Sequence, residues 1–556
     1  MIRLPYLLSG RTKVLLILFL PFLTFIYFIA SYGSLNRNPP PQTPVVGHEN
    51  LPVPTKNNNK PSDWWIEFFS RFEKTRPRAS PLKFKDGAGG DNWKPDTTST
   101  RASKFTLNDR DLSHLTESHA EFISQLPSFA RHLPYNPDTT GIVAAAGIFN
   151  FGQVISTILT TRRAGSKLPI EIIVDSSEPW IDHLCTEVLP LPQYNAHCVY
   201  LQNQWAGMNP FTPTFKGFQW KFIAMVASSF QNVLYFDADI LPIHNPDPIL
   251  TPKSEPYAST GFITYPDFWT STISPYFYHI VGDLPIPPLT ARPSSESGIM
   301  FFDKKRHADT ILLASYYNYN GLSHYYPMLS QHAPGEGDKE TFLQAALVLE
   351  GLRKKGVYQE PTEWMVPNAG IKKGYWDVKR MPVVHGRTNK GEWRGAFMQQ
   401  MDPMEDYRVV MKAIKEDEER RKKEKTLKEI NNNKKGRRSG RVANGRPFDT
   451  TPFHTDSSFL ENVGNLTLKH DDGRFMFFHN NGIKPDFARI KHYSIVVTNE
   501  DDKYIRLWGD PGWIIKRTGR DVEKDLWLDS QDLYCNKTAM TDVCQEITKV
   551  VDQIFV

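Results

Sequence analysis

Hydrophobic and polar positions follow two different patterns along the chain, one typical of amphipathic helices and one typical of buried strands. Residues 64–72 and 107–129 carry apolar side chains at helical spacing, which predicts two amphipathic helices. Farther along, short apolar runs at 141–147 and 170–174 flank a helical segment at 151–163. A strand, a helix and a strand at this spacing predict a right-handed βαβ unit, and nucleotides bind at the carboxyl ends of such strands.

Residues 14–30 form an apolar run, VLLILFLPFLTFIYFIA, without a charged side chain. As a helix this run spans about 25 Å, enough to cross a thin bilayer. Three basic residues precede it and residues 31–36 carry no charge, so the positive-inside rule places residues 1–13 in the cytosol and the rest in a lumen. A cleaved signal peptide would need a shorter apolar core and a small-residue cleavage site. We therefore expect a single-pass type II anchor.

The composition after the apolar run predicts a stem and then a large domain. Residues 31–104 are rich in Pro and Asn or have loop-like composition, so we expect a stem there and a globular lumenal domain over 105–556. Within the domain, residues 412–446 are predicted to be a basic surface insertion, helical at its start and disordered later. The net charge of +5 leaves no further basic surface of the kind that binds nucleic acid.

The four cysteines fall into two local pairs, Cys185 with Cys198 and Cys535 with Cys544. Neither pair has the C-x-x-C spacing and no histidine ladder accompanies them, which argues against zinc. In an oxidising lumen each pair could close a short loop by a disulfide, and the alternative is four buried thiols.

The clearest chemical motif is a pair of acidic residues after an apolar strand, Asp237-Ala238-Asp239. Carboxylate oxygens are the ligands that hard divalent cations prefer. A metal at this place would neutralise the diphosphate that leaves a nucleotide-sugar donor. The motif therefore indicates metal-dependent sugar transfer.

Two other segments supply groups that this chemistry needs. Lys221 lies on a helix predicted over 219–230, sixteen residues before Asp237. Far downstream, His479 begins an H-x-x-G-x-K-P pattern with Gly482 and Lys484. A neutral imidazole can be a third metal ligand, the glycine lets backbone approach phosphates, and the lysine can pair with their charge.

These motifs carry two resemblances. Residues 218–250 together with the H-x-x-G-x-K-P pattern resemble the glycogenin-like retaining transferases of the GT-A fold. Over about residues 140–490 the chain is similar to the fungal Golgi α-mannosyltransferase family, which extends cell-wall mannoprotein glycans. The similar segments include GIVAAAGIFNFGQVISTILTTRRAGSKLPIEII, TGFITYPDFWTSTISPYFYHIVG, ESGIMFFDKKRH and YYNYNGLSHYYPMLSQHAPGEGDKETF.

The resemblance implies an α/β domain of GT-A type, a Rossmann-like mixed sheet flanked by helices, behind the N-terminal transmembrane helix and stem. It implies GDP-mannose as donor, Mn²⁺ or another divalent cation as cofactor, and transfer with retention to an α-mannoside. The expected surroundings are the Golgi membrane, a mannan or N-glycan acceptor on glycoproteins, and other Golgi mannosyltransferases as partners.

Site residues are carried over by motif. The resemblance makes Asp237 and Asp239 metal and diphosphate ligands, with His479 as third ligand and His385 as a competing candidate. Four acidic residues are expected to carry the reaction: Asp237, Asp239, Glu296 and Asp338. Donor or sugar contacts are expected from Gly141, Gly147, Lys221, Gly298, Gly482 and Lys484.

Several alternatives stay open at this point. Glu296 would otherwise be part of a buried salt bridge, and Asp338 would otherwise cap the helix that follows it. Trp269 and the tyrosines Tyr316, Tyr317 and Tyr319 could stack on sugars, but core packing is the simpler expectation.

The resemblance covers both α-1,2 branch addition and α-1,3 terminal addition. The DFW and SQHAPGEGDKET segments favour an α-1,2 linkage on an α-1,6-mannose backbone. Either a covalent intermediate on Glu296 or Asp338, or a front-face route, would give retention. A membrane-tethered lectin or scaffold built on an inactive transferase is the non-enzymatic alternative, and it predicts loss of the metal-binding groups, which are present.

Overall fold

The apolar strands predicted from the sequence form the middle of one large mixed sheet. In the computed structural model, which describes residues 61–555 except 85, 177, 207, 209–213, 360–373, 380–382, 386–396, 435–472, 483, 492–496 and 499–502, all described residues fall within one compact unit. The strands of the large sheet are β1 (Asn136–Ala146), β2 (Ile170–Val174), β3 (Ala196–Tyr200), β4 (Phe230–Phe236), β6 (Phe262–Thr270), β7 (Pro293–Asp303) and β8 (Trp376–Asp377).

The order of this sheet is β3-β2-β1-β4-β7-β6-β8. Strands β3, β2, β1 and β4 are parallel, β7 is antiparallel to both of its neighbours, and β6 is therefore parallel to β4. The carboxyl ends of β2, β1, β4 and β6 and the amino end of β7 consequently meet at one edge. The expectation of a mixed α/β sheet with a parallel βαβ unit is confirmed.

A smaller sheet of order β5-β11-β10-β9 lies beside the first. Its strands are β5 (Ile240–Pro242), β9 (Val383–His385), β10 (Phe397–Met401) and β11 (Phe475–Asn480), and a separate pair is β12 (Val497–Thr498) with β13 (Tyr504–Ile505). His479 pairs with Ile240 in the register of β11 against β5. Because Ile240 follows Asp239 directly, this pairing places His479 beside the Asp-Ala-Asp motif, although more than 230 residues separate them in the sequence.

Helices cover both faces of the large sheet. They are α1 (Pro61–Lys74), α2 (Asp109–Ala130), α3 (Phe151–Arg163), α4 (Pro179–His183), α5 (Leu201–Gln204), α6 (Gln219–Ala227), α7 (Tyr257–Thr260), α8 (Pro275–Ile280), α9 (Ala308–Tyr319), α10 (Tyr326–Ser330), α11 (Thr341–Lys354), α12 (Pro403–Lys434), α13 (Pro511–Thr518), α14 (Val522–Asn536) and α15 (Thr541–Ile554). Helix α6 ends at Ala227 and not at residue 230 as predicted, because Phe230 already starts β4.

Side chains of the central strands alternate between two cores, as the period of two in a strand requires. Ile142, Ala144 and Leu234 belong to the core shared with α3, the smaller sheet and the C-terminal helices. Val143 and Val233 belong to the core shared with α1, α2, α6, α9 and α11. Burial on both sheet faces explains why these strands read as continuous apolar runs.

The globular unit begins earlier than the composition predicts. Trp65, Phe68 and Phe72 of α1 are buried, and the Trp65 indole donates to Gln204 (3.1 Å). The Arg101 guanidinium donates to the carbonyl of Pro287 (2.8 Å). The stem expected over 31–104 therefore extends too far, since its part from residue 61 onward packs against the domain.

The charged stretch at 412–446 is helical over the part that the structure describes. Helix α12 runs from Pro403 to Lys434, and its side chains are largely exposed from Lys415 to Leu427. Its later part, together with the transmembrane run at 14–30, lies outside the described residues. Within residues 61–555, no described helix combines the length and apolar character that crossing a membrane requires.

Both predicted cysteine pairs are disulfides, Cys185–Cys198 with Cα atoms 5.5 Å apart and Cys535–Cys544 with Cα atoms 4.8 Å apart. We expect the double variant Cys185→Ser/Cys198→Ser to lose about 3 kcal/mol of unfolding free energy, because the cross-link restricts the unfolded chain. Thermal midpoints of wild type and variant with and without reductant measure this. A wild type that responds to reductant no more than the variant contradicts the expectation.

Candidate active site

A cleft of about 870 Å³ opens at the edge of the large sheet where the carboxyl ends of β2, β1, β4 and β6 meet the amino end of β7. Its walls include residues from β1, β4, β6, β7 and β11, and from the segments that follow β2 and β11. The predicted site residues that line it are Gly147, Lys221, Asp237, Asp239, Glu296, Asp338, His479 and Lys484. The sequence motifs, although far apart in the chain, therefore converge on one site.

Asp237 is the first residue after β4, where the apolar strand leaves the core. Its Oδ1 accepts from the Tyr235 hydroxyl (2.9 Å) and its Oδ2 from the Lys221 ammonium (3.0 Å). Its backbone NH donates to the carbonyl of Gly298 on β7 (2.8 Å). These contacts fix a carboxylate that is still 30% exposed, so it faces the cleft.

Lys221 has a different role from the one predicted. Its side chain is only 5% exposed, and its ammonium reaches Asp237 (3.0 Å), Asp338 (2.9 Å) and the hydroxyl and carbonyl of Ser297 (both 2.9 Å). Burial alone would lower the pKa of Lys221, but Asp237 and then Asp338 raise it, so the group stays charged. With its donors thus used, Lys221 positions two carboxylates, a role that the predicted phosphate contact did not include.

Asp239 and the downstream motif meet as the sequence predicts. The buried Asp239 carboxylate lies 2.5 Å from the Lys484 ammonium and 3.6 Å from His479 Nε2. Its carbonyl accepts from the Asn480 backbone NH (3.0 Å), which locks the motif to β11. The Lys484 side chain is 45% exposed and lines the cleft, and its role as a phosphate contact stays a prediction.

Glu296 and His479 share the space over Gly298. Glu296 Oε1 accepts from the NH groups of Ser297 (2.9 Å) and Gly298 (2.7 Å), and its Oε2 lies 3.6 Å from His479 Nδ1. A Cβ at position 298 would stand 2.9 Å from His479 Cε1 and 3.0 Å from Glu296 Oε1. Gly298 therefore makes room for these two side chains, and the expectation that it admits a sugar to the backbone is corrected.

The electrostatics of this group are dominated by its acidic side chains. Burial alone would lower the pKa of His479, but Glu296 and then Asp239 raise it to about 9. Burial raises the pKa of Asp338, and the neighbouring Asp237 adds to this while Lys221 opposes it. A region so rich in negative charge is suited to bind a cation.

The helix-cap alternative for Asp338 is wrong. Helix α11 begins at Thr341, and the Asp338 carboxylate pairs with Lys221 instead of capping it. The acid that stabilises this turn is Glu340, which accepts from the NH and hydroxyl of Ser295 (3.1 and 2.8 Å). Asp338 is thus free of a capping role and lines the cleft.

The other three glycines predicted to contact the donor have different surroundings. Gly147 lies in the cleft wall, where a Cβ would stand 2.8 Å from an oxygen of Asp175. Gly141 is a packing position, since a Cβ there would stand 2.1 Å from the Phe230 ring, so its expected contact with the nucleotide is corrected. Gly482 is exposed beside the cleft residue Asn481.

Some cleft residues were not predicted. Asp175 follows β2 directly, and the rule that ligands bind at carboxyl strand ends could have found it. Asp267 lies inside the last part of β6, where no sequence signal distinguishes it from a structural residue. Of the aromatic candidates, Trp269 lines the cleft, whereas Tyr316 and Tyr317 are buried in the core.

The donor set can accommodate a divalent cation. Asp237 and Asp239 offer carboxylate oxygens, and His479 Nε2 faces Asp239 at 3.6 Å. No set of three or more acidic, histidine or cysteine side chains in the described part of the chain is already arranged as a metal cage. Lys484 is paired with Asp239 Oδ2 in this structure, so a cation that binds that oxygen would replace the ammonium. The competing candidate His385 lies in β9, and its side chain is outside the described residues.

A protein-family model described as "Mannosyltransferase putative" matches residues 139–288 and 285–368, which include the Asp-Ala-Asp motif, Glu296 and Asp338. This match covers less than half of the chain and, together with the mixed sheet and the acidic cleft, makes the chain similar to glycosyltransferases. More particularly, the chain is similar to curated fungal α-1,2-mannosyltransferases, and the resemblance predicted from the sequence is confirmed.

Two of these relatives show the extent of the similarity. Alpha-1,2-mannosyltransferase MNN21 of Candida albicans is 29% identical over 496 residues, which cover 80% of this chain and 64% of that protein. Alpha-1,2-mannosyltransferase MNN2 of Saccharomyces cerevisiae is 30% identical over 342 residues, covering 55% of this chain and 53% of that protein. The chain thus spans between half and two thirds of the length of these relatives.

Solved glycosyltransferases align with part of the chain. GlyE of Streptococcus pneumoniae TIGR4 has a TM-score of 0.23 at 12% identity, covering 37% of this chain and 43% of its own. The galactosyltransferase LgtC, in complex with donor and acceptor sugar analogs, has a TM-score of 0.25 at 12% identity, covering 38% and 72%. The similarity to glycosyltransferases is carried by the family match and the curated relatives, and these partial alignments add no argument to it.

Proposed function

We propose that this protein is a Golgi type II membrane enzyme of GT-A fold that transfers mannose from GDP-mannose to mannan side chains of glycoproteins. The main observation behind this proposal is that one cleft at the carboxyl ends of parallel strands brings together Asp237, Asp239, His479 and Lys484. The proposed linkage is α-1,2 on an α-1,6-mannose backbone, as the names of the curated relatives suggest. Terminal α-1,3 addition is the alternative linkage.

The order of the strands supports one placement of the donor. The nucleoside lies at the ends of β2 and β1, beside Asp175 and Gly147, as ligands do in open α/β sheets. The diphosphate lies at the end of β4, where Lys484 can pair with it once it leaves Asp239. The sugar then lies toward β7, between Glu296 and Asp338, whose carboxylate oxygens accept hydrogen bonds from its hydroxyls.

A divalent cation would be held by Asp237 and Asp239, with His479 as the proposed third ligand. When bound, the cation supplies positive charge against the diphosphate as it leaves. The protein's own part is to hold both carboxylates in place: Lys221 and Tyr235 fix Asp237, and Asn480 fixes the backbone of Asp239. Such preorganisation lets the site act without rearranging during the reaction.

Retention follows from a front-face route in this proposal. The bond from the anomeric carbon to the leaving phosphate breaks, the acceptor oxygen bonds to the same face of that carbon, and its proton goes to the phosphate. The two candidate nucleophiles are otherwise engaged, since Asp338 pairs with Lys221 and Glu296 accepts two backbone NH bonds. Trapping a mannosyl ester on either carboxylate would overturn the front-face route.

The full chain, incubated with GDP-mannose, Mn²⁺ and an unbranched α-1,6-mannan, is expected to add α-1,2-linked mannose. Linkage analysis of the product and its anomeric configuration measure the outcome. A chelator is expected to abolish transfer and added Mn²⁺ to restore it, because the diphosphate needs its charge neutralised. Transfer from UDP-glucose but not GDP-mannose, an α-1,3 product, or undiminished transfer with chelator would each contradict the corresponding part of the proposal.

A further inference from the structure

We propose that residues 86–93, here called the strap, hold Trp269 as a saccharide-binding platform on the acceptor side of the cleft. The inference rests on the proposed mannosyltransferase function and names a part of its acceptor site. Composition assigns the strap to a stem, but the structure places it against β6, and this contact carries the argument.

The strap joins the end of β6 through its backbone. The NH of Trp93 donates to the carbonyl of Phe268 (2.9 Å), and the NH of Thr270 donates to the carbonyl of Asp91 (2.8 Å). Asn92 and Trp269 thus form an antiparallel bridge. The Trp93 indole donates to the carbonyl of Leu289 (2.8 Å), which anchors the strap on its far side. The backbone at Trp269 is therefore held by pairing with the strap.

The strap also wedges against the Trp269 side chain. A Cβ at Gly90 would stand 2.5 Å from Pro334 Cγ and 3.3 Å from Trp269 Cζ3, so only glycine fits between that proline and the indole. A Cβ at the neighbouring Gly89 would have no described atom within 4 Å. The two adjacent glycines thus differ sharply in what they touch.

Trp269 lies on the side of the cleft away from the expected nucleotide. Strands β1 and β6 are separated by β4 and β7, and three strand spacings amount to about 14 Å. The Asp-Ala-Asp motif lies between them at the end of β4. A donor that binds at β1 and β4 therefore leaves the β6 end to the acceptor.

The chemistry of the β6 end fits a neutral sugar. Trp269 offers an indole, backed by the Phe268 ring with centroids 4.5 Å apart, for the apolar face of a pyranose. Beside it, Asp267 is paired with Lys339 (3.4 Å) and can accept a bond from a sugar hydroxyl. With Glu296 also near, this end carries negative charge and disfavours a phosphate or nucleotide.

The test compares four variants of the full chain. Trp269→Ala removes the platform, and Trp269→Phe keeps an aromatic face as the conservative rescue. Gly90→Ala displaces the strap from Pro334 and the indole, and Gly89→Ala is its matched control. Each is measured for KM and kcat with α-1,6-mannopentaose, for KM with GDP-mannose, and by calorimetry for the Kd of α-1,6-mannopentaose without donor.

Trp269→Ala and Gly90→Ala are expected to raise the acceptor KM and Kd about tenfold, which corresponds to about 1.4 kcal/mol. Trp269→Phe and Gly89→Ala are expected to stay within about twofold of wild type, and the donor KM is expected to stay unchanged in all four. An unchanged acceptor Kd in Trp269→Ala overturns the platform, as does a rise in donor KM alone. An unchanged Kd in Gly90→Ala overturns the role of the strap, and if that variant does not fold, Trp93→Phe, which removes the indole anchor to Leu289, replaces it.

The two proposals fail in different ways. A wild type that binds α-1,6-mannopentaose through Trp269 but transfers no mannose from GDP-mannose contradicts the proposed function and leaves the platform standing. A wild type that transfers mannose, with an acceptor KM that does not respond to Trp269→Ala, contradicts the platform alone. A wild type that neither binds the pentaose nor transfers mannose overturns both.

Discussion

Asp237→Asn is expected to lower kcat for mannose transfer at least about 10³-fold while the thermal midpoint stays nearly unchanged. The amide keeps the shape of the carboxylate and can still accept from the Tyr235 hydroxyl, but it loses the charge that a divalent cation needs. Lys221 retains Asp338 and Ser297 as partners. Removing one negative charge from a crowded acidic group also relieves repulsion, so folding should persist.

Kinetics with α-1,6-mannan and a thermal melt of the same preparation check this expectation. Asp283→Asn is the control, because it makes the same chemical change at a side chain that is 79% exposed and outside the cleft. It should alter neither quantity. Full transfer by Asp237→Asn would show that the carboxylate binds no metal, and a grossly unfolded variant would show that its role is structural.

The second large expected effect is a difference in stability between variants of Lys221 and Lys484, two lysines that the sequence predicts in the same role. Lys221→Met is expected to lower the unfolding free energy by about 3–5 kcal/mol, because it leaves Asp237 and Asp338 without their shared cation at a site where Lys221 is 5% exposed. Lys484→Met is expected to change stability by less than about 1 kcal/mol, since its side chain is 45% exposed and Asp239 keeps His479 as a neighbour at 3.6 Å.

The two lysine variants should also be distinguished by their donor kinetics. Lys484→Met retains a folded protein and is expected to raise the KM for GDP-mannose, because the phosphate contact is lost. Thermal melts and donor kinetics on both variants test these expectations, with Lys549→Met as a control at a side chain that is 58% exposed and outside the cleft lining. Equal stability of the two variants would mean that the buried lysine does not hold the carboxylates together.

Local pattern predicted much of the fold. Helix α3 and strand β2 have the bounds that the sequence predicts, Phe151–Arg163 and Ile170–Val174, because periodicity and turn residues act over a few neighbours. The end of α6 was missed by three residues, since Phe230 is apolar enough for either element and only its pairing in β4 decides. The stem boundary was also missed, because Pro-rich, polar segments look alike whether they are free or packed.

For the site residues as well, local signals were predicted correctly and long-range contacts were not. The Asp-Ala-Asp pair was found because its signal is local, an apolar strand followed at once by two acids. Gly141 was misread because a glycine that packs against a distant ring and one that meets a ligand are identical in the sequence. Lys221 was placed in the correct site with the wrong role, since its burial and its partner Asp338 come from elements far along the chain.

By itself the sequence determined several central strands and helices, the acidic motif and the family that they resemble, since each is carried by short segments or by their order. Only the tertiary structure decided that His479 lies against Asp239, that Lys221 joins two carboxylates, and that residues 86–93 support Trp269. The physical reason is that these contacts, apart from that of Lys221 with Asp237 16 positions away, join residues separated by about 100 to 240 positions. Their energies come from sheet pairing and burial, which no local pattern of side chains records.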